Sequence, residues 1–264
     1  MHGSRKTSRV RYLFEHTAFL FSDLKIGAAT EGRSSYGHTF GGPHDREGAS
    51  QNSCNGTLIH LLHRLNLDDP SIPVSIPGIR WLPLYYVFNS ADPRLGYQLH
   101  SDESLTTFFS TEKKNQSDKS DYPTEFPQTG IVVSDYGYDP ANTDDVYSWA
   151  GVFRFGKLPP TKRNEIRQRL YTEELEPLGF NPPESDSDYD EWMYRPFVQG
   201  IPYNNCLNPQ CENNEAPTNL PVIALMSGHP VDGIHVFGRW GDDVTIIFQQ
   251  CPKCFTINVT NECT

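Results

Sequence analysis

Two close cysteine pairs are the residues of this chain whose type and spacing most plainly could do chemistry. The first reads Cys206-Leu-Asn-Pro-Gln-Cys211 and the second Cys251-Pro-Lys-Cys254. Asn-Pro and Pro-Lys form turns, so each pair sits on a tight reversal that can aim two sulfurs at one point. The second spacing is the common one for metal-binding turns, and the first is at the loose end of the range. Four thiolates complete the tetrahedral shell of one zinc ion and leave no position for a substrate, so the metal predicted at Cys206, Cys211, Cys251 and Cys254 is structural. Two other readings stay open. The four thiols can be free and buried, behaving as small hydrophobes, or Cys251 and Cys254 can be joined as a disulfide. Cys54 and Cys263 are left over.

Histidines supply the other candidates. His60 and His63 lie in the apolar run Leu58 to Leu67. On a helix they would share a face and could bind a metal, but on the strand favoured here residues three apart point to opposite faces, which argues against a shared ligand role. His38 and His44 flank Gly41-Gly42-Pro43, with Asp45 adjacent. A general base there, paired with a carboxylate, defines a hydrolase-like alternative, although no nucleophile elbow accompanies it. The segment Glu184 to Glu191 carries five carboxylates in eight residues. It lacks the glycine and terminal glutamate of a calcium loop and reads as solvated. No phosphate-binding loop, His-Glu-x-x-His or Gly-x-Gly-x-x-Gly occurs, which lowers the prior for nucleotide chemistry.

Composition bounds the partners. The 264 residues carry a formal net charge of −11. Neither a nucleic-acid backbone nor an anionic membrane surface is favoured by such a field, whereas a basic protein is. No run reaches the roughly 18 apolar residues of a spanning helix. The basic N-terminus is followed by Tyr-Leu-Phe-Glu-His (12 to 16), whose charge interrupts any signal h-region, so the expectation is a cytoplasmic protein. Residues 1 to 11 read as a mobile arm. Asn-x-Ser/Thr triplets at Asn55, Asn115 and Asn258 read as chance occurrences.

The elements that must position these residues are mostly strands, as 21 prolines and 20 glycines already imply. Apolar residues at 10, 13, 14, 18, 20, 21 and 24 approach helical spacing and predict a short amphipathic helix over Val10 to Leu24. Strands are predicted at Leu58 to Leu67, Leu82 to Phe88, Tyr97 to His100, Gly130 to Ser134, Trp149 to Phe155 and Phe255 to Val259, with a strand or short helix at Leu105 to Phe109. Asn89 to Gly96 and Asp135 to Asp145 read as turns, and Glu112 to Tyr122 as a loop. Two further strands flank the Ser227 to Gly233 loop. Lys162 to Leu175, with prolines in front and behind, is the clearest helix. A weak internal repeat relates Leu58-Ile-His-Leu-Leu with Pro83 to Asn89 to Leu220 to Leu225 with Val244 to Gln249, implying two similar β units about a pseudo-twofold.

Phe40-Gly41-Gly42-Pro43, the Leu58 to Leu67 strand and the aromatic strand at 84 to 88 resemble the YwqG-like bacterial proteins of unknown function. Gly228-His-Pro-Val-Asp-Gly-Ile234 and Trp240 to Phe248 are similar to that family's C-terminal segments. The cysteine-before-strand order also resembles the programmed cell death protein two family. This sequence departs from the pattern at Leu62 to Asn66, and Cys54 alone precedes its first long strand. The resemblance implies an α+β fold dominated by antiparallel sheet, with no activity to carry over. The expectation is one compact domain, residues 1–264, in two loosely similar halves (1–130 and 131–264) with a zinc-ribbon-like C-terminal element. Its leading function is non-enzymatic binding through an acidic surface.

Overall fold

The computed structural model describes residues 17–21, 25–43, 46–49, 59–72, 74–87, 94–109, 125–135, 139, 141–142, 158–186, 188–189, 205–215, 220–227 and 244–263. Their strands are β1 (Thr17–Phe21), β2 (Lys25–Glu31), β3 (Thr39–Phe40), β4 (His60–Asn66), β5 (Trp81–Tyr86), β6 (Leu95–Leu99), β7 (Leu105–Phe109), β8 (Thr129–Asp135), β9 (Val222–Ser227), β10 (Val244–Gln250) and β11 (Ile257–Cys263). They follow one another in the order β5-β4-β3-β8-β2-β1-β9-β10-β11-β6-β7. Every pairing between them is antiparallel. With the α-helix α1 (Pro160–Leu170), this is an α+β architecture dominated by antiparallel sheet. Strands from the two predicted halves interleave, since β6 and β7 join the order through β11. The two segments related by the weak repeat each form an antiparallel pair, β4 with β5 and β9 with β10.

The predicted helix over Val10 to Leu24 is corrected where it is described: Thr17–Phe21 is β1, paired on both sides with β2 and β9. Ladder bonds to two neighbours outweigh a local spacing that only approaches 3.6 residues per turn. The rest of that prediction, the 1–11 arm, the loop at 112 to 122 and the strand at 149 to 155 lie outside the described residues. The final strand starts two residues later than expected and runs to Cys263. The helix holds as predicted, with Pro160 in its first turn and a π-turn (Tyr171–Leu175) and 3-10 turn (Glu176–Leu178) extending it. It stops at Gly179, whose φ of 77° lets the Phe180 N–H reach Leu175 O and the Gly179 N–H reach Glu176 O. That bonding is a Schellman stop, which leaves Phe180 half-exposed just past the buried Leu175 turn.

The sheet curls until its two ends meet. Leu65, Ile72, Leu82 and Leu84 at one end share a small apolar cavity with Ile223 and Ala224 of β9. At the far end, Tyr97 of β6 stacks edge-on against Tyr85 of β5 at 5.4 Å. Its hydroxyl donates to Pro83 O at 2.7 Å and accepts from the Tyr85 N–H at 3.4 Å. Burial pushes the Tyr97 phenol far above its usual range, so the hydroxyl stays protonated and able to donate. The β6–β7 turn grips the start of β5 as well: Asp102 Oδ1 accepts from the Arg80 and Trp81 N–H groups, and buried Arg46 donates to Ser101 O and Trp81 O. Tyr97→Phe keeps the ring and removes both hydroxyl bonds. The expected loss is about 2–4 kcal/mol in urea unfolding, because a buried carbonyl and a buried N–H are left unpaired together.

Candidate metal centre

The first cysteine loop follows the turn chemistry of its sequence. Pro209 occupies the second position of a turn closed by Cys211 N–H to Asn208 O (3.0 Å), and Asn208 Oδ1 accepts from the Gln210 N–H (2.9 Å). Asn213 O then accepts from the Cys206 N–H at 2.9 Å, which draws the two ends of the loop together. The second loop is the connection of the β10–β11 hairpin. Cys251 N–H bonds Thr256 O at 2.8 Å, and Phe255 N–H bonds Cys251 O at 2.9 Å. Closing that turn requires a φ of 60° at Phe255, a left-handed conformation that costs a bulky residue about 1–2 kcal/mol. Packing of the Phe255 ring against the core offsets that cost.

The two loops bring all four predicted residues together, with the ligand atoms of Cys206, Cys211, Cys251 and Cys254 all within 4.8 Å of one another. Across the loops, Cys206 Sγ lies 3.5 Å from Cys254 Sγ, and Cys211 Sγ lies 3.7 Å from Cys251 Sγ. A tetrahedron with metal–sulfur bonds of about 2.3 Å has sulfur–sulfur edges of about 3.8 Å, so the cage has the dimensions of a four-thiolate site. All four are free thiols here, and Cys254 alone is partly exposed. Leu220 packs with the cysteines.

The environment of the sulfurs is uneven. Burial pushes the Cys206 thiol far above its usual range and the Cys211 thiol up to about 11. Burial acts the same way on Cys254, but hydrogen bonds from the Thr256 hydroxyl and N–H, helped by the neighbouring thiols, outweigh it and lower that group. Other donors also reach sulfur: the Asn208 N–H lies 3.4 Å from Cys206 Sγ, and Asn213 Nδ2 lies 3.5 Å from Cys251 Sγ. These are the partners that a metal-bound thiolate needs around it.

Sequence reasoning missed the amides that hold the first loop on the sheet. Asn258 is fully buried; its Oδ1 accepts from the Leu207 N–H at 3.3 Å and its Nδ2 donates to Asn205 O at 3.0 Å. This residue heads one of the Asn-x-Thr triplets, and its burial leaves no room for a glycan. Gln98 of β6 donates to Cys254 O (2.9 Å) while accepting from Asn208 Nδ2 (3.1 Å), so it joins both loops. Gly96 makes the approach possible, because a Cβ there would stand 2.8 Å from the Leu207 Cβ. On the outer surface Lys253 Nζ pairs with Glu212 Oε1 at 2.6 Å. Nothing local marks these amides in the sequence, since Asn258 is one of several polar residues of β11 and Gln98 lies far away along the chain.

The histidine candidates resolve differently. His38 is buried, with Nε2 2.7 Å from Asp69 Oδ2, while its Nδ1 accepts from the Asn66 N–H at 3.0 Å. Both ring nitrogens are therefore engaged, and the carboxylate is Asp69 rather than Asp45; His44 and Asp45 lie outside the described residues. His60 and His63 correct the expectation of opposite faces. The β4–β5 register shifts between Leu61 and His63, and the extra residue restores both rings to one side. His60 lies 5.4 Å from the Phe126 ring, His63 lies 5.3 Å from Phe40, and the two phenyl rings are 5.7 Å apart. The acidic segment is partly tied down, since Asp186 bonds both Arg163 and Arg167.

No protein family matches the chain, and neither a curated protein nor a solved structure matches it.

Burial, with a smaller contribution from nearby His38, lowers His63 to about 3. Burial pushes the Asp69 carboxyl up, but bonds from Ser71 and His38 outweigh it and set it below the usual carboxylate range. Both groups bind protons more readily in the unfolded chain, so stability falls as acid is added. The expected loss begins near pH 6.5, where an unfolded histidine titrates. For His63 alone it approaches about 1.4 kcal/mol per pH unit as the pH drops toward 3. Urea unfolding from pH 8 to pH 4 checks this; a His63→Leu variant that keeps the same acid dependence would show that the loss comes from elsewhere.

Proposed function

We propose that Cys206, Cys211, Cys251 and Cys254 hold one structural zinc ion in a zinc-ribbon-like element, and that the protein is a non-enzymatic binding protein. The convergence of four sulfurs into a cage of tetrahedral dimensions carries the zinc reading. Soft thiolates in a tetrahedron suit zinc, which needs no redox partner. Its role is to fasten the first cysteine loop to the β10–β11 hairpin, with Gln98 and Asn258 as supports. Purified protein is expected to contain about one zinc per chain by elemental analysis. Chelation at neutral pH should lower the melting temperature by roughly 5–10 °C, and zinc should restore it. Cys251→Ser should show the low melting temperature with or without zinc. A wild-type protein that is metal-free and indifferent to chelator ends this reading.

The binding role is supported by the net charge of −11, a field that speeds encounter with a basic protein and opposes nucleic acid. The hydrolase-like alternative gains nothing from His38, whose nitrogens serve Asp69 and Asn66. A cytoplasmic location is part of the same proposal, and no helix among the described residues is long and apolar enough to cross a membrane. So is kinship with the YwqG-like proteins, which rests on the Phe40-Gly41-Gly42-Pro43 and strand motifs of the sequence. Affinity capture at low and at physiological salt tests the partner. A basic protein is expected to be retained at low salt and weakened by a triple variant of Glu184→Gln, Asp190→Asn and Glu191→Gln. That variant spares Asp186, which bonds two arginines, and Asp188, which bonds Ser185. Firm retention of nucleic acid would contradict the electrostatic argument.

A further inference from the structure

The four sulfurs are placed for a second chemistry. The close contacts recorded above run between the loops, Cys206 to Cys254 at 3.5 Å and Cys211 to Cys251 at 3.7 Å. A disulfide needs about 2.05 Å between sulfurs, so either pair bonds after a closure of about 1.5 Å. Cys254 is the most exposed cysteine of the four, while Cys206 and Cys251 are fully buried and Cys211 nearly so. It lies in the loop Cys251 to Cys254, bounded by exposed Pro252 and Lys253. Oxidation across the loops would also leave both loops fastened to each other, because each new bond joins residues that the metal would otherwise bridge.

We propose that Cys254 is a peroxide-reactive modification site and that its oxidation converts the four-thiolate centre into two cross-loop disulfides, Cys206–Cys254 and Cys211–Cys251, with release of the metal. This rests on the zinc reading above. The Cys254 sulfur attacks one oxygen of hydrogen peroxide and becomes a sulfenic acid, and the departing hydroxide takes a proton to give water. The Cys206 sulfur then attacks the Cys254 sulfur, forming the disulfide and expelling a second hydroxide that is also protonated. Loss of two of its four ligands frees the zinc, and a second peroxide oxidises Cys211 and Cys251 in the same way. In sum, four thiolates, two peroxides and four protons give two disulfides and four waters, and the sulfurs lose four electrons to the peroxides. Reduction by a dithiol reverses both bonds and restores the site for zinc.

The test uses zinc-loaded full-length chain, titrated with hydrogen peroxide. Released zinc is read with a chromogenic chelator, free thiols by a thiol reagent, and bonded cysteines by mass spectrometry of unreduced peptides. Zinc release complete at about one peroxide per ion and loss of the four thiols complete at about two, with 206–254 and 211–251 linked peptides, is the expected result. Dithiothreitol and zinc should then return the thiols and the metal together. Cys254→Ser should slow loss of the remaining thiols by at least about tenfold; because this variant can also lose its metal, the wild-type peptide map stands as the independent measurement. Zinc retained while only Cys54 or Cys263 is oxidised overturns the proposal, as does a Cys251–Cys254 link. A chain that binds no zinc in the elemental assay but forms both cross-loop links under peroxide refutes the zinc reading and upholds the modification site.

Discussion

The first cysteine loop has little apolar surface with which to hold itself in place. Between residues 205 and 215 the sequence is Asn-Cys-Leu-Asn-Pro-Gln-Cys-Glu-Asn-Asn-Glu, and Leu207 and Pro209 are its only apolar side chains apart from the cysteines. Fixing each residue costs about 1–2 kcal/mol of backbone entropy, so eleven such residues stay ordered only against strong local restraints. Those restraints are the amide bonds to Asn258 and Gln98 and the convergence of four sulfurs. The sheet contributes the rigid side of the site, because the second loop is the turn of a hairpin whose strands pair over their whole length. A metal bound there would couple a polar loop to an apolar core through thiolates, which are at once ligands and small hydrophobes.

The same logic of polar groups satisfied inside an apolar surround governs the histidines. His38 bridges a carboxylate and a backbone N–H, and Asp69 also accepts from the N–H and hydroxyl of Ser71. That network fixes the connection after β4 against the loop that leads into β3. It holds the chain by using up hydrogen-bonding capacity that an acid–base catalyst would need to keep available.

Much of this was legible in the sequence. The strands at Leu58 to Leu67 and Leu82 to Phe88 were marked by branched and aromatic residues, the helix by its flanking prolines, and the four-cysteine cluster by turn residues between paired cysteines. The failures have definite causes. β1 was misread as helix because its partners, β2 and β9, lie at very different distances along the chain, and local periodicity carries no information about either. The histidine pair was assigned to opposite faces because an inserted residue in a strand leaves no sequence signal of its own, yet reverses the alternation beyond it. The supporting amides were invisible for a related reason: Gln98 stands more than one hundred residues from the loop that it joins, and only the fold makes them neighbours.

The Tyr97 hydroxyl also bears on what this sheet can do with other chains. Among the described residues β5 stands at one end of the strand order, and an end strand is the kind of template on which a foreign strand adds and aggregation begins. On that strand Pro83 has no N–H to offer, while its carbonyl and the Tyr85 N–H are both taken by a single phenolic oxygen from β6. One side chain thus takes up the outward ladder groups of this buried stretch in place of a strand, and it closes them to self-association without adding a residue to the sheet.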